Sequence, residues 1–186
     1  MIKKQHLQMF VPLLIIVMVA GVWALKQLQP DFGVSFSRSD QLSLPANLQD
    51  ADFSLKAKGA VDMEALSQQY HLPMIIDYGF DSCSPCQRMA PALETINADF
   101  FGKAFIKYVD VTDYPTADDE LPVLVFPTQF FVNADGTPFK PSTELDESIH
   151  FSFYYDPDEG TLAYTTHQGV LTEDEMRQIL KEMGVN

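Results

Sequence analysis

Two cysteines, Cys83 and Cys86, are the whole cysteine complement of the 186-residue chain, and they stand three apart in Cys83-Ser84-Pro85-Cys86. Thiols at this spacing can exchange with a disulfide in two steps. A thiolate at Cys83 attacks a substrate sulfur, and Cys86 then attacks Cys83 and releases the substrate as a dithiol. The same steps in reverse oxidise a substrate. Two other uses of the pair stay open: half of a soft-metal site, for instance for Cu(I), and an inert structural bridge under an adaptor surface. Zinc needs a third and a fourth ligand, and the four histidines, His6, His71, His150 and His167, are scattered. A four-residue loop closes little chain entropy, so a purely structural bridge stabilises weakly. No metal or cofactor is expected.

The flanking residues say what holds the pair. Met74-Ile75-Ile76-Asp77-Tyr78-Gly79-Phe80 is short, apolar and rich in β-branched and aromatic residues, as a buried strand is. From Cys86 to Phe101, Met89, Leu93, Ile96 and Phe100 recur at the spacing of an amphipathic helix. The cysteines thus fall where a strand feeds a helix N-terminus. Unpaired N–H groups and the positive end of the helix dipole favour a thiolate there. Pro85 suits a first helical turn, since it presets φ and lacks an N–H.

The segment from Asp77 to Pro127 resembles thioredoxin without a gap. Asp77 stands six residues before Cys83, where that family has a buried aspartate, and Pro91 stands eight after it, where the family's helix is kinked. Val125-Phe126-Pro127-Thr128 is similar to the family's cis-proline loop. The resemblance implies a thioredoxin fold, an α/β domain with a central mixed β-sheet flanked by helices. It also implies that Cys83, Cys86 and Asp77 carry the catalysis, Asp77 exchanging a proton with Cys86. Phe126, Pro127, Thr128 and Gly169 would line the substrate groove, where an extended segment pairs with the loop. Ser82 and Ser84 replace the family's usual tryptophan and glycine around the first cysteine, and Tyr108 stands at the place of a common lysine.

The remainder is read for delivery and scaffolding. Lys3 and Lys4 precede an uncharged run from Met9 to Leu25, so residues 1–26 are expected to be a signal anchor, a transmembrane helix, or else a cleaved signal peptide. Basic residues stay on the cytoplasmic side, which places the redox domain on the extracytoplasmic, periplasmic side of the cytoplasmic membrane. Residues 27–51 read as a linker and 52–186 as the thioredoxin-like domain, with an insertion at about 137–168 that reads as an extra β-hairpin. Phe151, Phe153 and Tyr155 alternate along it and are expected to face the core. Further expectations are an opening strand at Phe53 to Lys58, a helix at Asp62 to Tyr70, an acidic loop or short helix at Asp113 to Leu121, a hairpin turn at Asn133-Ala134-Asp135-Gly136, and a last helix with a Thr172/Glu175 capping box.

All 26 acidic residues lie beyond Pro30, whereas Lys3, Lys4 and Lys26 take three of the twelve bases, so residues 31–186 carry a formal net charge of −17. Such a surface repels nucleic acid and anionic headgroups. The expected partners are cysteines of exported proteins and a membrane electron donor. The expected activity is thiol-disulfide exchange, in the reducing direction.

Overall fold

The computed structural model describes residues 53–186, and everything below concerns those residues. The segments read as anchor and linker lie outside them. Among the described residues, no helix is long and apolar enough to cross a membrane.

Asp62 caps the first helix, α1 (Met63–Tyr70), with its carboxylate accepting from the Ala65 N–H. His71 in the left-handed region ends it. Strand β1 (Met74–Gly79) is buried on both faces, as a run that is apolar but for Asp77 requires. Helix α2 (Ser84–Asp99) follows, then β2 (Phe105–Asp110) and β3 (Thr128–Val132). After β3, Gly136 at φ +85° closes the Asn133 turn, in a conformation that favours glycine. Helix α3 (Thr143–Ile149), strands β4 (Ser152–Tyr155) and β5 (Leu162–Gln168) and helix α4 (Glu173–Glu182) complete the chain. The Thr172/Glu175 capping box opens α4 as expected.

The strands form one mixed sheet in the order β2-β1-β3-β5-β4. β1 runs parallel to β2, and the other pairings are antiparallel. One face is covered by α2, α3 and α4, whose Met89, Leu93, Ile96, Leu145, Ile149, Met176, Ile179 and Leu180 close over Ile75, Ile106 and Phe131. On the other face Met63, Leu66 and Tyr70 of α1 pack on Met74, Ile76, Phe105 and Phe130.

Three elements differ from expectation. The segment from Phe53 to Lys58 meets β2 through a single bridge, Lys56 to Tyr108, instead of an extended strand. Residues 113–121 form turns without a helix. The insertion does contain a hairpin, β4 with β5, but β5 also pairs with β3 and so belongs to the central sheet. Helix α3, absent from the expectation, precedes it. Of the alternating aromatics only Phe151 is buried, packed edge-on against Phe131 and Phe139. Phe153 and Tyr155 are exposed, because β4 is an edge strand with one uncovered face.

Candidate functional site

Cys83 and Cys86 form a disulfide at the head of α2. Cys83 is the N-cap residue, and its Sγ accepts the Cys86 N–H at 3.3 Å. This is the orphan-donor position anticipated above, and it favours negative charge on that sulfur. Both cysteines are 6% exposed, so accessibility alone does not rank them. Their neighbours do. Cys83 Sγ lies 3.8 Å from the Phe126 carbonyl oxygen, on the loop before β3. Cys86 Sγ faces inward, where a Cβ added to Gly79 would come within 3.0 Å of it.

The loop at Phe126 contains the cis peptide Phe126-Pro127. Thr128 is fully buried and its hydroxyl donates to the Val125 carbonyl at 2.7 Å, so it braces the loop from within. Gly169 closes the loop from the β5 side, its N–H donating to the Pro127 carbonyl at 2.9 Å. Its φ of +122° lies in the region that favours glycine. On the segment that leads into this loop Leu124 and Val125 are exposed, as is Val170 next to Gly169, and Phe126 packs edge-on against Phe80 at 5.3 Å.

Asp77 lies beneath, fully buried. It shares a face of β1 with Gly79, two residues on, and hence the face against which Cys86 packs. Burial pushes its carboxyl up to about 8, while a hydrogen bond from Gln129 acts in the opposite direction. That bond, Gln129 Nε2 to Asp77 Oδ1, is 2.8 Å long, and Asp77 Oδ2 has no partner. Tyr108 stands in register with Asp77 on β2, at the place of the family's lysine. The buried lysine of that strand is its neighbour Lys107, on the opposite face, donating to the Ser54 carbonyl at 2.7 Å.

All seven residues singled out from the sequence therefore belong to one locality. Two that were not, Gln129 and His167, join them: His167 Nδ1 is 2.8 Å from Gln129 Oε1. A long polar side chain directly before the apolar run Phe130-Phe131-Val132 was the available signal at Gln129. Nothing in the sequence marked His167, since its role depends on strand register.

The sequence model of the thioredoxin family matches residues 60–150. A Staphylococcus aureus thioredoxin is 33% identical over 106 residues, which span 54% of this chain and 89% of that protein. The chain belongs to the thioredoxin family. Among solved structures, the thioredoxin of Fasciola hepatica is 19% identical with a TM-score of 0.47, over 69% of this chain and 99% of that one. Chloroplastic thioredoxin z is 16% identical with the same TM-score, over 70% and 96%. A thioredoxin domain with a Cys-x-x-Cys disulfide at the start of α2 has the constitution of a thiol-disulfide oxidoreductase in general terms.

Proposed function

We propose that the chain reduces disulfides of exported proteins from a tethered position outside the cytoplasmic membrane. The observation that carries the exchange chemistry is the seating of Cys83 Sγ, at a helix N-terminus and against the carbonyl of the Phe126-Pro127 loop. In the dithiol form the Cys83 thiolate attacks one sulfur of the substrate disulfide. An S–S bond forms between Cys83 and the substrate, and the other substrate sulfur leaves as a thiolate and takes up a proton. Asp77 in its ionised form takes the proton of Cys86, whose thiolate attacks Cys83 Sγ, and the second substrate sulfur leaves as a thiolate and takes up a proton in turn. The substrate gains two electrons and two protons, and Cys83 and Cys86 end as the disulfide. A membrane-bound dithiol donor returns the pair to the reduced state by the same exchange.

The uncharged run from Met9 to Leu25 behind Lys3 and Lys4 supports the tether. The exposed Leu124 and Val125, just before Phe126, and Val170, just after Gly169, support recognition of polypeptides, which can cover such apolar surface. The deciding experiment is the reduction potential of the Cys83/Cys86 pair in the full chain, equilibrated in redox buffers. A value near about −270 mV fits a reductant, whereas one near about −120 mV reverses the direction. Absence of a reversible two-electron transition would overturn the exchange reading.

A further inference from the structure

Strands β1, β3 and β5 bring Asp77, Gln129 and His167 into one row across the sheet, with Asp77 opposite Gln129 and Gln129 opposite His167. The Gln129 amide spends every polar atom in this row. Its Nε2 donates to Asp77 Oδ1 at 2.8 Å and to the Gly169 carbonyl at 3.1 Å, and its Oε1 lies 2.8 Å from His167 Nδ1. The opposite amide orientation would set its oxygen against two oxygen acceptors, so the orientation is fixed by its partners. Facing an acceptor oxygen, His167 Nδ1 must carry a proton, which makes the neutral ring the Nδ1–H tautomer.

We propose that Gln129 and His167 are positioning residues for Asp77, with His167 donating from Nδ1 to hold the Gln129 amide so that its N–H points at the carboxyl. Among the described residues this N–H is the one hydrogen bond to that carboxyl, Oδ2 having none. A donor aimed at a buried carboxylate stabilises its charged form strongly, because little solvent competes. The row thus offsets part of the desolvation of Asp77 and keeps its proton exchangeable. The ionisable groups that act on the row are Tyr108, in register with Asp77 on β2 and within the field of Asp110, Asp81 and Asp113, Cys86 on α2, and, through their charge, Glu175 on α4 and His150 at the end of α3. Glu175 and His150 act on His167 with opposite sign.

The role assigned to Asp77 rests on the exchange reading above, but its titration does not. In the full chain, the Asp77 carboxyl is followed by infrared difference spectroscopy, the band being assigned by its loss in Asp77→Asn. Gln129→Leu is expected to raise the Asp77 midpoint by about 1 pH unit, and His167→Leu by part of that. His167→Asn, whose Nδ2–H can stand in for Nδ1–H without titrating, is expected to return it to the wild-type value. An unmoved midpoint in His167→Leu, or His167→Asn behaving as His167→Leu, overturns the proposal. Should the leucine variants fail to fold, nitrogen NMR of the wild-type ring decides: a neutral His167 protonated at Nε2 is incompatible with the arrangement, and one protonated at Nδ1 upholds it. A shifted midpoint in a chain without exchange activity would remove the functional reading and leave the positioning intact.

Discussion

Asp77 and His167 stand on strands separated by β3, and Gln129 of that strand hydrogen-bonds to both, at 2.8 Å on each side. A buried acid is thereby connected to a half-buried imidazole without direct contact. Burial also holds His167 below the ordinary histidine range, so the ring is largely neutral at pH 7.

The raised Asp77 makes stability fall with pH. Between the ordinary carboxylate value of 3.8 and the folded-state value of about 8, the unfolded chain has lost this proton and the native one retains it. The native state then binds more protons, so the unfolding free energy decreases through that window and levels off above it. Asp77→Asn is expected to flatten this slope and to stabilise the domain by up to about 5 kcal/mol near pH 8–9. Urea unfolding at a series of pH values measures both. An unchanged slope would mean that Asp77 titrates normally.

The two sulfurs have different neighbours, so single serine variants are expected to behave differently. Cys86→Ser should accumulate a mixed disulfide through Cys83 with a peptide disulfide, visible on a non-reducing gel. Cys83→Ser should form none and lose exchange activity by at least about 1,000-fold. Trapping through Cys86 instead would reverse the assignment.

Gly79 is required by close approach. A Cβ there would lie 3.0 Å from Cys86 Sγ and 3.0 Å from Tyr108 Cε2. Gly79→Ala is expected to cost about 1–3 kcal/mol in denaturant unfolding, the range of overpacked cores. Wild-type stability in that variant would show that α2 does not seat Cys86 on β1.

Substitution at the exposed Leu124 is expected to separate binding from chemistry. Leu124 is 75% exposed beside the loop that faces Cys83, so covering it with substrate would contribute about 1.5–3 kcal/mol. Leu124→Asp is expected to raise KM for a polypeptide disulfide by about tenfold or more. Reduction of a small soluble disulfide should continue at the wild-type rate. Equal losses with both substrates would place Leu124 in the chemistry instead.

Local chemistry made much of this site legible beforehand. The cysteines at a strand-to-helix junction, Pro85 in the first turn, the stripe from Met89 to Phe100 and the Thr172/Glu175 box each depend on residues a few positions apart. The structure draws them as read. What escaped depends on register or on edges. Gln129 and His167 meet only because β3 pairs with β5. Helix α3 has two buried apolar residues, Leu145 and Ile149, in seven, too weak a stripe to stand out, although Ser142 caps it through the Leu145 N–H. Phe153 and Tyr155 alternate as a core strand does, but β4 lies at the edge and leaves them in solvent. Alternation reports which side chains share a face, not whether anything covers it.

Gly169 gives its N–H to Pro127 and accepts at its carbonyl from Gln129. One peptide segment is therefore stitched to the outer loop on one side and to the buried amide on the other. Any displacement of the Gly169 backbone would alter both bonds together, so the loop that holds Pro127 and the amide that faces Asp77 are fixed by the same residue.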